Sequence, residues 1–328
     1  MHQLANKKIL MTRAEDFMTE WVSDALFHGL ISLGNIEVTD WPMLWYMYDD
    51  GRVDKRSPYR SHTELHGKGF GLYRLIGNDQ SINRDISNLK DKIRKQYFDL
   101  IILTLLPRTD IKSDLEDLIF ECYPPDKIII ICDNVSPTMT DPWDTWPMID
   151  RGTFFKRELT FNHPQIHPIS YAFPKEKIID RTNIKKEKLL ANMHVSPAGT
   201  SGSNYTFNNE KDYYTEYAKS YFGVTRRKHG WECVRHYEII ASGCVPWFED
   251  IKKCPELTCT ALPKQELITV CDLIDDMGID WFLTPAGQKT YWELQEKIFN
   301  HFLKYGTTEA LAKYVLNTHA NTWDKNGR

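Results

Sequence analysis

Two stretches of this chain are apolar at nearly every position: Leu100–Leu106 (Leu-Ile-Ile-Leu-Thr-Leu-Leu) and Lys127–Cys132 after its first residue. Runs so short and so uninterrupted suit strands covered on both faces, as in a parallel sheet sandwiched between helices. The start of the chain reads the same way. Lys7–Thr12 is a β run, and Phe17, Trp21, Ala25, Leu26, Gly29 and Leu30 then recur at helical spacing as far as Gly34. Ile36–Thr39 reads as a second strand. Strand, helix and strand in about thirty residues form a βαβ unit. The rhythm resumes with helices over Ile82–Gln96 and Ser113–Cys122. Between them and the first unit lies an aromatic, glycine-rich loop, Trp41–Gly77, with Gly67-Lys-Gly-Phe-Gly71 inside it; loops of this length usually serve function.

A short element over Phe154–Leu159 is followed by Phe161–Lys175, where Pro164, Pro168 and Pro174 favour extended chain and a boundary is expected. The pattern then restarts. A strand from Lys188 leads to the small-residue loop Ser196–Ser203, and Glu210–Tyr221 is predicted helical, with Val224–Thr225 a short strand. Trp231–Ser242 is a predicted helix closed by Gly243, and Cys244–Phe248 a strand. The apolar stretch Leu267–Val270 and helices near Pro285–Lys304 and Glu309–Leu316 complete the half. With 328 residues there is room for two domains of about 150 each. The expected fold is α/β, with two consecutive Rossmann-like units.

Charge and composition remove several function classes. A net charge of −4 and a pI near 6.3 leave no global basic field for nucleic acid, which stays a possible but unfavoured partner. No stretch reaches the roughly 18–20 apolar residues of a transmembrane segment. Met1–Lys8 is polar and shows no signal peptide. Seven cysteines without C-x-x-C spacing read as reduced thiols, which points to a cytoplasmic setting. The nearest acidic cluster, Asp272, Asp275 and Asp276, reads as a solvated helix face, so no metal and no cofactor are expected.

The most informative segment is Arg226–Pro246. Its three cations, Arg226, Arg227 and Lys228, precede the predicted helix, whose N-terminal N–H groups and partial positive charge suit a phosphate. Glu232, Arg235 and Glu238 follow at i, i+3, i+6 and share one side of that helix, while Val234, Tyr237, Ile240 and Ala241 can face a core. The same charges also fit an exposed, salt-bridged helix. Tyr237-Glu-Ile-Ile-Ala-Ser-Gly-Cys-Val-Pro246 resembles the nucleotide-sugar signature of glycosyltransferases with the two-lobed GT-B fold. The resemblance implies that Glu238 holds the ribose hydroxyls, and that Arg235 with Arg226, Arg227 and Lys228 neutralises the diphosphate. Glu232, Ser242 and Gly243 join them as donor-binding candidates. Retaining members usually carry a second acid eight positions before the ribose one. Here that position is Gly230, with Glu232 the nearest acid, which leaves the stereochemistry open.

Glu15–Leu30, Gly67–Tyr73 and Phe154–Leu159 resemble the N-terminal lobe of the exostosin-like and capsule or spore-coat branch of these enzymes. The resemblance implies an α/β chain of two Rossmann-like lobes (GT-B type) facing a central cleft. Residues 1–170 would form the acceptor side and 171–300 the nucleotide-sugar side, with 301–328 a helical segment able to pack back on the first lobe. The co-substrate would be a UDP- or GDP-linked sugar, and the acceptor a hydroxyl on a glycan or other polymer. A base for that hydroxyl is sought where open α/β sheets place ligands, at the carboxyl ends of the strands. Asp16 and Glu15, after the first strand, are the catalytic candidates, with His28 and Asp133 behind them; Asp16 suits a helix cap equally. Gly69 is a candidate for close backbone approach to phosphate, and Trp143 and Trp146 for stacking on an acceptor sugar. Transfer to modified DNA and non-catalytic nucleotide-sugar binding are the competing readings. A dehydrogenase is disfavoured, since Thr12–Asp16 stands where Gly-x-Gly-x-x-Gly would follow the first strand.

Overall fold

The computed structural model describes residues 6–13, 19–51, 59, 61–77, 85–105, 114–133, 146–182, 184–193, 206–228 and 230–324. The first half builds one parallel sheet from β1 (Lys7–Arg13), β2 (Ile36–Trp41), β3 (Leu100–Leu105), β4 (Ile128–Cys132), β5 (Thr153–Lys156) and β6 (Ile166–Pro168). Their spatial order is β2-β1-β3-β4-β5-β6, all neighbours parallel. The apolar runs of β3 and β4 are buried from both sides, and the two-residue period of a strand divides them between two layers. Ile9, Met11, Ile102, Ile129, Ile131 and Phe155 pack with helix α1 (Trp21–Ser32). Leu10, Ile101, Leu103, Ile128, Ile130 and Phe154 face the other way, with Leu89 and Ile93 of α2 (Leu89–Arg94) and Ile119 of α3 (Asp114–Cys122).

The second half carries a smaller parallel sheet, β7 (Lys188–Leu190), β8 (Ser220–Thr225) and β9 (Val245–Phe248), in the order β7-β8-β9. Helices α4 (Glu210–Ala218), α5 (Val234–Ala241), α6 (Lys264–Met277) and α7 (Pro285–Tyr305) surround it. Two expected boundaries move. The helix expected over Glu210–Tyr221 stops at Ala218, because Ser220–Thr225, rich in aromatic and β-branched residues, is the central strand of this sheet. The helix expected from Trp231 begins at Val234, after an extended Cys233. Leu267–Val270 lies inside α6, and the helix expected over 82–96 spans Leu89–Arg94 among the described residues.

The chain then returns to the first half. Phe173 pairs with Thr307: its N–H donates to Gly306 O at 2.9 Å, and Thr308 N–H donates to Phe173 O at 3.1 Å. From there α8 (Thr308–Asp324) packs across α1. The crossing is close because Gly29 has no side chain; a Cβ there would stand 2.6 Å from the Thr308 carbonyl carbon. One apolar core runs through both halves, joining Ile9 and Phe27 to Phe173, Tyr214, Phe222 and Phe302. Among the described residues, no helix is long and apolar enough to cross a membrane. None of the seven cysteines is paired.

Candidate functional site

Helix α5 is the element around which the candidate residues gather. Glu238, buried on it, accepts hydrogen bonds from Tyr213 Oη at 2.7 Å and Tyr214 Oη at 3.4 Å, both from α4. Burial lifts its carboxyl to about 7, although the Tyr213 bond and the Arg235 charge pull the other way. Arg235, one turn earlier, holds its charge: burial opposes it, but Tyr217, Tyr213, Cys233 and Glu238 nearby raise its pKa. Lys228 is shifted down, by burial and then by repulsion from Arg235. The two cations therefore stand close enough to feel each other. They do so next to an α5 N-terminus that no side chain caps.

The three cations before α5 differ in their surroundings. Arg226 pairs with Glu249 at 2.8 Å and is largely neutralised. The Arg227 guanidinium lies over the Trp231 ring at 5.1 Å, and its Nε has no hydrogen-bond partner among the described residues. Lys228 and Arg235 therefore form the cationic centre, with Arg227 at its edge. The expectation that Glu232 shares a helix face with Arg235 and Glu238 is corrected. Glu232 precedes α5 and turns to the first half, accepting from Tyr237 Oη at 3.1 Å and Tyr171 N–H at 3.4 Å. Ser242 and Gly243 close the opposite end of α5. Ser242 Oγ donates to Glu238 O, and Gly243 O accepts from Lys186 Nζ, each a backbone tie. They line a separate cavity of about 480 Å³ with Arg181, Lys186, Trp292 and Gln295.

On the other side of the seam, the carboxyl ends of β4 and β5 carry a buried ionic group. The Arg157 guanidinium pairs with Asp133 and reaches Glu158 at 3.4 Å, while Val22 N–H donates to Asp133 at 3.3 Å. Asp133 is thus engaged on both oxygens. His28 lies between α1 and α8, hydrogen-bonded to Thr308 Oγ1 at 3.0 Å, with burial lowering its pKa. Its place is the helix crossing rather than a strand end. Glu15, Asp16 and Trp143 lie outside the described residues; Trp146 opens a helical turn, Trp146–Arg151.

The Gly67–Gly71 loop bridges the halves. Gly71 N–H donates to Glu210 at 2.7 Å, Lys68 Nζ donates to Asn208 Oδ1 at 2.6 Å, and Phe70 packs on Tyr213 at 5.7 Å between ring centres. Gly69 has φ +70°, and a Cβ there would lie 2.5 Å from His62 O, so this glycine closes its own loop's turn. Sequence reasoning missed Tyr213 and Tyr214. Their only local signal is an aromatic pair at helical spacing from Tyr217, which reads equally well as core. The acidic cluster of α6 is a solvated face, Lys252 pairing with both Asp272 and Asp275. No group of three or more His, Cys, Asp or Glu among the described residues is arranged to hold a metal.

No family model matches the chain, and no curated protein does. Among solved structures it is similar to an α-glucosyltransferase in complex with UDP-glucose and DNA containing an abasic site, at 9% identity and a TM-score of 0.50, over 96% of this chain and 100% of that one. An α-glucosyltransferase in complex with UDP and a 13-mer DNA aligns at 11% identity and 0.49, over 97% and 100%. The glycosyltransferase SnogD from Streptomyces nogalater aligns at 10% and 0.36, over 95% and 100%. At such identity the likeness is one of fold. With its two parallel sheets in succession, the chain has the GT-B-type α/β fold, two Rossmann-like lobes facing a central cleft.

Proposed function

We propose that this protein transfers a sugar from a UDP- or GDP-linked donor to a hydroxyl of a glycan or other polymer. One observation carries the reading. Glu238 and Arg235 share α5, Lys228 meets Arg235 in front of it, and the helix N-terminus between them is uncapped. A carboxylate accepts both hydroxyls of a ribose, and a cationic helix start receives the diphosphate. Without that charge the departing nucleotide would be a poor leaving group. The Tyr213 and Tyr214 hydroxyls already occupy part of the carboxylate's capacity, so they fix its direction before the nucleotide arrives. The acceptor would lie against the first lobe, with Asp16 or Glu15 after β1 removing its proton. Similarity of Gly67–Tyr73 and Phe154–Leu159 to the exostosin-like branch favours a glycan acceptor, and the unpaired cysteines suit a cytoplasmic setting.

The test is release of free nucleotide from a panel of UDP- and GDP-sugars, with and without glycan acceptors. Turnover of one donor that rises with acceptor supports transfer. Tight nucleotide binding without any release would favour a non-catalytic binding protein. Because Lys228, Arg235 and Arg227 supply the positive charge, EDTA is expected to leave turnover intact; its loss would contradict the assignment.

A further inference from the structure

A groove between the last turn of α7 and helix α8 plays no part in the nucleotide site. Its volume is about 440 Å³, and it shares no residue with the α5 site. Lys304 and Tyr305 reach it from α7, and Lys313, Tyr314, Asn317 and Asn321 from α8. The four α8 residues recur at helical spacing and form one stripe, about 12 Å long at the helix rise. Leu311, Ala312, Val315 and Leu316 occupy the buried side of α8, so the stripe faces away from the core.

The lining combines aromatic rings with unbalanced positive charge. Among the described residues seven large apolar side chains are exposed, and three of them, Leu303, Tyr305 and Tyr314, lie on this groove. Single exposed apolar residues need no explanation, but a group of them marks a contact surface. Tyr314 is already fixed in place: its Oη donates to Pro168 O at 2.7 Å, and its ring meets Phe155 edge-on at 5.9 Å. A partner stacking on that ring therefore immobilises no new side chain. Lys175 pairs with Glu309, the acid of the described lining, whereas Lys304 and Lys313 form no ion pair with a described residue. Lys304 Nζ stands 4.8 Å from the centre of the Tyr305 ring, so charge and ring are met together. The groove is thus positive in a chain of net charge −4.

We propose that this groove binds an acidic polysaccharide, with Lys304 and Lys313 on its carboxylates, Tyr314 against the apolar face of a sugar ring, and Asn317 and Asn321 on its hydroxyls. The two amides each donate and accept, as a hydroxyl does, and the ammonium groups supply charge-assisted bonds. Nucleic acid fits less well. Its affinity scales with the number of phosphates neutralised, and two unpaired lysines keep that number low. A membrane takes up an apolar helix face that protrudes, whereas these rings line a concavity. Use of the groove as an anchor for the acceptor polymer rests on the transfer reading above; the binding itself does not.

The experiment is calorimetric titration of the full chain, without nucleotide and at physiological salt, with polygalacturonate, hyaluronan, neutral dextran, oligodeoxythymidylate and phosphatidylserine vesicles. It is done on the parent, on the double variant Lys304→Glu/Lys313→Glu and on Tyr314→Ala. The parent should bind polygalacturonate or hyaluronan at least about tenfold more tightly than dextran, and the double variant should lose that preference. Tyr314→Ala should weaken the same polymer about threefold or more. A parent that binds no acidic polysaccharide, or binds dextran equally well, would overturn the proposal. So would a double variant that binds as the parent does, or a parent that prefers the oligonucleotide or the vesicles. Thermal melting checks that each variant is folded; the exposed lysine pair alone decides if Tyr314→Ala is not. Separate titration with UDP and GDP tests the nucleotide site, so a failure there is distinguished from a failure of the groove.

Discussion

Substituting Gly29 with Ala should loosen the return of α8 onto the first lobe. The new methyl would stand 2.6 Å from the Thr308 carbonyl carbon, and ordinary contact begins near 3.4 Å. The obstacle is backbone, so no rotamer change relieves it, and α8 must withdraw by most of an ångström or more. Overpacking of this kind costs about 1–3 kcal/mol. Withdrawal also strains the Thr308 N–H bond to Phe173 O and the His28 bond to Thr308 Oγ1, each worth about 1 kcal/mol. The sum, about 3–5 kcal/mol, corresponds to a fall in Tm of roughly 4–7 °C for a chain of 328 residues. Scanning calorimetry or thermal circular dichroism at fixed pH reads it directly. A Gly29→Ala protein melting within about 1 °C of the parent would refute the close crossing.

Two further outcomes follow from the site. Burial lifts both Glu232 and Glu238 to about 7, above their unfolded value near 4.3. Their folded-state preference for the proton is fully present below the unfolded pKa and lost as pH rises through about 7, amounting to about 3–4 kcal/mol for each group. Glu232→Gln should therefore flatten the decline in Tm between pH 5 and pH 8, and parallel Tm profiles would contradict the burial of that carboxyl. Among the cations, Arg227→Ala should weaken UDP or GDP binding by tenfold or more, whereas Arg226→Ala, which removes a cation already paired with Glu249, should change it less. A titration ranking them in the reverse order would show that the phosphate lies elsewhere.

The parts of this fold legible in sequence were those with strong local physics. The isoleucine and leucine runs of β3 and β4 could bury two faces only between helices, and the first βαβ unit announced itself by period. The Glu238 segment was legible through its small-residue turn into β9. The start of α5 was misplaced because Trp231, Glu232 and Cys233 have no propensity against a helix. What turns them away is a contact 74 residues distant, the Glu158 carboxylate receiving Glu232 N–H. For the same reason the i, i+3, i+6 spacing places Glu232 on the face of Arg235 and Glu238 when read from sequence alone. The Phe154–Leu159 segment is legible as a short element, yet nothing local says that Glu158 takes a left-handed backbone or that Gly230 makes room for it. The close approach of α8 to Gly29 is likewise invisible until two segments about 280 residues apart are brought together. Long-range polar pairing and helix crossings set these details, and no window of neighbouring residues contains them.

The central claim is that a nucleotide rests against α5 with its ribose on Glu238. Titration of UDP and GDP into the parent and into Glu238→Ala, at pH 8 where the carboxyl is ionised, tests it most directly. Loss of charge-assisted hydrogen bonds to the ribose should weaken the preferred nucleotide about 30-fold or more. The melting temperature of the free variant would show whether the fold persists. A well-folded Glu238→Ala protein that binds the nucleotide as tightly as the parent would contradict the account.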